Sequence, residues 1–358
     1  MKTPSQALVQ AEELEHQLSV LTSKIACNMQ KPASKRDFDQ LTEVWTETAT
    51  LRSQVVATGR FLRKIKKPVR NQLTRSEFAA QRDMYKQAQA FLRRQRQWGE
   101  IERIVHLHLN PTIKPLLSEP SWAGQEALLL QLYAAFHSLA NPIDQDPKAH
   151  SHGCFSDIAL PIRSFEMLMS AAYRVCLAQN PQRMLRFLDV GCGGGTKVFV
   201  ATRYFRQADG LEYDQGYADS ACRTLQIVGA SNSIIHCADA MTFENYSDYD
   251  VIYFYRPLRT DELLEKMEQQ IMKQARIGTI LVAPYDSSLN TREGLDCAQV
   301  EGPIFVTGID QTEADQLRLD AQATGTEILS RSMDRKFDTG HWAPILDAAS
   351  FSGNGFEK

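Results

Sequence analysis

The amino-acid sequence predicts an α/β fold, a seven-stranded and mainly parallel sheet with helices on both faces, preceded by an all-α domain. Three observations carry this expectation. From residue 185 onward, short β-branched and aromatic runs alternate with amphipathic segments, as in strand–helix–strand units whose helices cover a parallel sheet. Ahead of residue 145 the apolar residues instead recur three and four apart, the spacing of helices. Between the two lies Asn141-Pro-Ile-Asp-Gln-Asp-Pro-Lys-Ala-His150, polar and marked by prolines, which reads as a linker. The expected organisation is a helical domain over 1–145, an α/β domain over 146–348 and a flexible tail over 349–358.

In the helical part, Ala11, Leu14, Leu18, Leu21 and Ile25 form an a/d seam too short for a free-standing coiled coil, which suits a helix within a bundle. Lys31-Pro32 breaks it. A second helix is expected from Asp37 to about Ile65, with Phe38, Leu41, Trp45, Leu51 and Val55 as its apolar stripe and Lys67-Pro68 as its stop. Thr74-Arg-Ser-Glu77 is a capping box, two side chains that satisfy the free amides of a helix start. The third helix it opens carries Phe78, Tyr85, Ala88 and Leu92 and continues through Trp98 towards Leu107. Pro111 and Pro115 interrupt before a fourth over 121–139. In the α/β part, strands are expected at 185–190, 209–213, 233–238, 250–255, 278–283, 303–307 and 326–331. Helices are expected at 161–178, 195–206, 215–228, 260–275 and 312–323, and His341-Trp342 is expected to pack the tail onto the sheet.

A chain of 358 residues with 43% hydrophobic and 23% charged residues has the composition of a globular protein large enough for two domains. The seven cysteines are scattered and form no CxxC pair, which argues against a disulfide scaffold and for a reducing, cytoplasmic setting. The polar start lacks the apolar segment of a signal peptide, and the greasiest run, Ala127 to Phe136, is too short to span a bilayer. A soluble protein without a membrane partner is expected. The net charge of −3 conceals an asymmetry: Arg52 to Arg103 holds fourteen Lys and Arg against four acids, a local +10 that leaves −13 for the rest. Such a basic segment serves a solvated helix face, docking onto an acidic part of the same chain, or an anionic partner such as RNA.

The chemistry is concentrated in Phe187-Leu-Asp-Val-Gly-Cys-Gly-Gly-Gly-Thr-Lys197, which follows an expected strand and opens an expected helix. Glycines there let a ligand touch the backbone, and the helix start offers free amides. A nucleoside-triphosphate loop needs GxxxxGK[ST], which Gly191 to Lys197 does not fit. The dinucleotide fingerprint GxGxxG needs Gly or Ala at 196, where Thr stands, which disfavours a nicotinamide-dependent oxidoreductase. What fits is acid-x-Gly-x-Gly-x-Gly, made by Asp189, Gly191, Gly193 and Gly195.

This stretch resembles motif I of the class I S-adenosylmethionine-dependent methyltransferases, and two companions match that family in order. Glu212, 23 residues beyond Asp189 at the end of the next strand, corresponds to the acid that accepts the ribose hydroxyls, with Tyr213 beside it. Asp239-Ala240, at the end of the third strand, corresponds to the pair that meets adenine. The resemblance covers about 155–332 and implies a Rossmann-like sheet with S-adenosyl-L-methionine as cofactor. It also implies a cofactor-binding set of Asp189, Gly191, Cys192, Gly193, Gly195, Glu212, Tyr213, Asp239, Ala240 and Tyr255.

The acceptor end is read from Tyr255-Arg-Pro-Leu258, at the end of the fourth strand. Relatives that methylate nucleobase or glutamine amino groups carry [DN]-P-P-[YFW] there, and this sequence departs from it. Tyr255 and Arg256 are the candidate catalytic residues, and Phe155, Arg256 and Tyr285 the candidate acceptor contacts. Arg256 suits a carboxylate or phosphate gripped bidentately, or pairs with Asp261 or Glu262. The segment Phe155-Ser-Asp157 is placed to lid the cofactor's methionine end. His106, His108, His150, His152 and Cys154 match no zinc-ligand spacing and read as loop residues, so no metal is expected. The function expected is methyl transfer to a small molecule. An RNA or protein acceptor held by the basic helices and a non-catalytic cofactor-binding scaffold stand as alternatives. The helical domain is expected to act as a lid, to select substrate or to mediate a homodimer.

Overall fold

The computed structural model describes residues 3–70, 73–117, 131–132, 134–135, 137–139, 141, 144–157, 161–179, 185–286, 289–292, 294–324 and 339–353. The chain divides into two compact units. One comprises Met1–Thr112 with Glu327–Asn354, and the other spans Ile113–Thr326. The helical unit thus ends well before the expected 145 and takes in the C-terminal helix. No described helix is long and apolar enough to cross a membrane.

In the helical unit, α1 (Pro4–Met29) starts at a Thr3 capping box and buries all five seam residues. The single expected second helix is two, α2 (Phe38–Thr50) and α3 (Arg52–Leu62), broken at Leu51. The hydroxyls of Thr42, Thr46 and Thr48 bond back to carbonyls four residues earlier and that of Thr50 to one three earlier, contacts that bend a helix. The Thr74 capping box opens α4 (Arg75–Arg96), and α5 (Trp98–Leu109) follows after a break at Gln97. The expected fourth helix, 121–139, lies largely outside the described residues.

His341-Trp342 does not pack on the sheet. Together with the helix Ala343–Gly353 it joins the helical core. Trp342 is fully buried, set edge-on to Trp98 at 5.1 Å, and its indole N–H donates to the Arg94 carbonyl at 3.0 Å. Thr22 donates to the His341 carbonyl at 2.7 Å. A buried indole needs both an apolar slot and an acceptor, and the seam of α1, α4 and α5 supplies both.

The α/β unit opens with α6 (Pro147–His152), inside the stretch expected to be a linker, and α7 (Ile162–Gln179). Then follow β1 (Arg186–Val190), α8 (Thr196–Ala201), β2 (Gln207–Glu212), α9 (Gln215–Ile227), β3 (Ile235–Cys237), β4 (Val251–Phe254), α10 (Asp261–Gln274), β5 (Ile280–Val282), β6 (Cys297–Glu301), β7 (Ile304–Thr307) and α11 (Gln311–Gln322). Taking its place after α11, the helix Ala343–Gly353 is α12. The strand order is β3-β2-β1-β4-β5-β7-β6. The first five strands are parallel, and β7 runs antiparallel to both of its neighbours.

Seven strands were expected, but the set differs. An additional strand, β6, pairs with β7 as a hairpin around Gly302, and the strand expected at 326–331 lies outside the described residues. The central strands are buried on both faces, as parallel strands between helices must be. Phe187 and Tyr253 pack on the α7 side, whereas Leu188, Val190, Ile252 and Phe254 pack on the α10 side. The same alternation turns Asp189 towards the α7 face. Glu212, Phe254 and the glycine loop then lie at the carboxyl ends of parallel strands, where open α/β sheets bind ligands.

Candidate functional site

Gly191, Gly193 and Gly195 take φ of +76°, +53° and +79° between β1 and α8, a left-handed path that costs glycine little. The space around them is closed. A Cβ at Gly191 would fall 2.6 Å from Pro257, one at Gly193 2.1 Å from the Asp157 carboxyl carbon, and one at Gly195 2.9 Å from Ala221. The Gly191 and Cys192 amides donate to the Leu211 carbonyl, which ties the loop to β2.

The loop forms the floor of a cleft of about 680 Å³, open to solvent. Of the candidate residues, Gly191, Gly193, Glu212, Tyr213, Asp239, Ala240, Tyr255, Arg256 and Phe155 line it together. Asp189, Cys192, Gly195 and Tyr285 do not. The Cys192 thiol is buried beneath the loop against Gly210, where burial pushes its pKa up. Tyr285 packs on Phe254 and donates its phenol to the buried Glu268, away from the cleft. It does not line the cleft, because the loop after β5 turns its ring against Phe254 and its hydroxyl to Glu268 of α10.

Electrostatics around the floor are unusual. Glu212 accepts the Gly193 amide at 2.8 Å and the Asp214 amide at 2.9 Å, yet burial raises its carboxyl from the ordinary 4.5 to about 7. Asp189 is fully buried, and neither carboxylate oxygen has a hydrogen-bond partner among the described residues. Burial raises its pKa against the pull of the Lys197 ammonium. Asp239 accepts the Met241 amide at 2.9 Å, and the Ala240 carbonyl accepts the Tyr246 hydroxyl at 2.8 Å.

The far wall is the segment from Asp146 to Asp157. It lies against the β4 end through Phe155 N–H to the Pro257 carbonyl at 3.0 Å and Arg259 N–H to the Gly153 carbonyl at 2.9 Å. Asp157 accepts the Gly194 amide at 3.0 Å and the Asn141 side chain at 2.6 Å, so its carboxylate sits on the glycine loop. The His152 ring stacks on Tyr213. At the β4 end, Arg256 has φ +43°, the single positive value among the described non-glycine residues. Its guanidinium pairs with Asp261 at 3.0 Å, one of the two partners considered from the sequence, in an exposed contact.

Three cleft residues were not singled out from the sequence. Tyr217 sits in the first turn of α9. Lys197 sits in the first turn of α8, a lone cation in the otherwise apolar run Val198-Phe-Val-Ala201, and that contrast was its signal. His152 was read as a loop histidine and had no signal of its own. His108, by contrast, is buried in the helical unit against the Ile104 carbonyl, with burial lowering its pKa to about 4.

Residues 144–299 match the family model of protein-L-isoaspartate(D-aspartate) O-methyltransferase. No curated protein matches the chain. Among solved structures, the chain is similar to a sugar N-methyltransferase of Streptoalloteichus, at 18% identity and TM-score 0.31, over 42% of this chain and 58% of that one. It is also similar to an RNA methyltransferase of Salinibacter ruber in complex with S-adenosyl-L-homocysteine, at 19% identity and TM-score 0.32, over 42% of this chain and 91% of that one. For an amino pentose methyltransferase of Micromonospora echinaspora the identity is 21% and the TM-score 0.30, over 40% of this chain and 57% of that one.

Proposed function

We propose that this S-adenosylmethionine-dependent methyltransferase, of class I by its sheet order, its glycine loop and the match over residues 144–299, methylates a small molecule that carries a carboxylate. The residues present suit the cofactor. Glu212 offers a carboxylate to a ribose diol, Asp239 and Ala240 form an edge for adenine, and the glycines admit a methionine chain against the backbone. Asp189 lies beneath the loop, fully buried beside Lys197, and does not itself reach the cleft. When bound, the cofactor supplies a methyl group on a sulfonium, open to in-line displacement.

The observation that carries the acceptor reading is Arg256. A non-glycine residue held at positive φ costs of order 1–3 kcal/mol, and such strain gathers at ligand sites. Here the strained residue lines the cleft, between Tyr255 and Pro257, with its guanidinium on the exposed Asp261. Its pair with Asp261 is exposed, worth about 0–1 kcal/mol, and so readily exchanged for a substrate carboxylate. Asp157, Glu212 and Asp239 already accept backbone amides. A carboxylate acceptor is ionised at neutral pH and needs no general base, which suits a cleft whose acids are so engaged. The matched family is named for O-methylation of isoaspartate in proteins, again a carboxylate acceptor.

The test is incubation with labelled S-adenosylmethionine and fractionated cell extract. Label in the small-molecule fraction that alkali releases, as it releases a methyl ester, is the expected outcome, and Arg256→Met should abolish it. Alkali-stable label, or label confined to macromolecules, would overturn the reading. A second reading, an RNA acceptor, draws on the helical unit. Arg60, Arg63, Lys66, Lys67, Arg70 and Arg75 are exposed, and no acid interrupts the sequence among them. RNA affinity that falls steeply with salt would favour it. The helical unit would then select the substrate.

A further inference from the structure

We infer that His152 occupies the adenine seat of the cofactor cleft and that the cofactor must displace its side chain to bind. The inference rests on the assignment of Tyr213 and Asp239 to the adenosine end of the site. The imidazole lies flat on the Tyr213 ring, with centroids 4.1 Å apart and planes within 8°. Its Nε2 is 3.1 Å from Asp239 Oδ2. A flat nitrogen heterocycle, stacked on the aromatic ring that follows the ribose acid and facing the carboxylate that ends β3, makes the two contacts an adenine would make there. Imidazole is itself the five-membered half of a purine.

The fit is incomplete, and that is what makes the seat available. Nε2 is buried and close to Asp239 but not in a hydrogen bond, so this edge of the site stays unsatisfied. A purine with an exocyclic amino group reaches the same carboxylate with a directed N–H. The ligand therefore gains a contact that the histidine lacks.

The backbone around His152 is fixed, so the motion required is a side-chain swing. Upstream, the Asp146 amide donates to Asp214 Oδ2 at 2.7 Å, which ties the start of α6 to the cap of α9. Downstream, Gly153 ends α6 at φ +96°, with no room for a Cβ because Leu263 lies 2.6 Å from where one would stand. Gly153 is bonded to Arg259, Cys154 bridges to Leu258, and Phe155 bonds to Pro257. His152 is a quarter exposed, which leaves a path towards solvent. The neighbouring His150 is engaged with Arg259 and Lys148 lies over the Tyr213 ring at 5.7 Å, so neither takes the vacated contact with Asp239.

Calorimetric titration of the full chain with adenosine and with S-adenosylhomocysteine tests this. His152→Ala removes the occupant and should bind adenosine about 3- to 10-fold more tightly than the parent, the size of one aromatic stacking contact. His152→Phe, which keeps the stack without the nitrogen, should not tighten binding. Equal or weaker binding by His152→Ala, with its melting temperature unchanged, would overturn the inference and make the imidazole a wall of the site. The underlying site assignment fails separately: adenosine would then bind neither protein, or would bind undiminished when Glu212→Ala is added.

Discussion

Replacing Glu212 by Gln separates binding from folding. The carboxylate accepts two backbone amides, Gly193 at 2.8 Å and Asp214 at 2.9 Å, yet burial lifts its pKa from 4.5 to about 7. That shift amounts to about 3 kcal/mol against the charged form at neutral pH. Gln keeps the shape and one acceptor oxygen, loses one amide contact worth ~1–3 kcal/mol, and relieves the cost of the buried charge. The two changes nearly cancel, so the melting temperature should shift by no more than a few degrees. A bound ribose diol has no such compensation. It donates to both oxygens of an ionised carboxylate, and losing one charge-assisted bond costs about 1.5–3 kcal/mol, or roughly 10- to 150-fold in affinity. Thermal melting and calorimetric titration with adenosine measure the two effects on one sample. Unchanged affinity would refute the ribose role, and a large loss of stability would show that the carboxylate serves mainly to hold the loop.

Affinity for adenosine, which carries no group titrating near neutrality, should rise as pH climbs towards about 7 and level off above it, because the raised Glu212 must ionise to accept the diol. Stability should run the other way. A carboxyl raised in the folded state contributes fully below its ordinary pKa of 4.5 and loses that contribution as pH passes through about 7, which melting curves across this range would show. Gly193→Ala forces a Cβ to within 2.1 Å of the Asp157 carboxyl carbon at φ +53°. About 1–2 kcal/mol of left-handed strain and ~1 kcal/mol for the displaced Asp157 contact should appear in chemical denaturation, with loss of adenosine binding. Trp342→Ala empties a fully buried site beside Trp98 and should cost about 3–5 kcal/mol, read as a shifted unfolding midpoint of the helical unit. A loss under 1 kcal/mol would mean that the C-terminal segment adds little to that core.

Most of the fold was legible because its signals are periodic and local. The a/d seam of α1, the capping box of α4 and the both-face burial of β1 and β4 each leave a mark in residue type. What failed was long range or short. The hairpin strand β6 alternates over five residues only, with inward Ala298 and Val300 too small a signal against its polar neighbours. The break at Leu51 comes from hydroxyls turning back on their own helix, which an apolar stripe does not register. Trp342 was sent to the wrong core because a buried tryptophan advertises only that it needs a slot and an acceptor. It does not say which of two units provides them.

The two ends of the cleft were legible to different degrees for a single physical reason. On the cofactor side the backbone itself is the constraint. Three left-handed positions with no space for a Cβ demand glycine, and the buried Gly193 and Asp214 amides demand an acceptor such as the Glu212 carboxylate. Such requirements are written in residue identity. The opposite wall is held by Phe155 N–H on the Pro257 carbonyl and Arg259 N–H on the Gly153 carbonyl, bonds that almost any residue makes. These two bonds carry His152 into the cleft without a mark of its own, whereas Phe155-Ser-Asp157 is legible as a segment at the site. A change of side chain at Phe155 leaves both anchoring bonds intact, so acceptor preference should shift there while the sheet and the glycine loop stay as they are. Exchanging Phe155 alone, with adenosine affinity as the control, therefore probes the acceptor directly: its KM should move and the adenosine affinity should not.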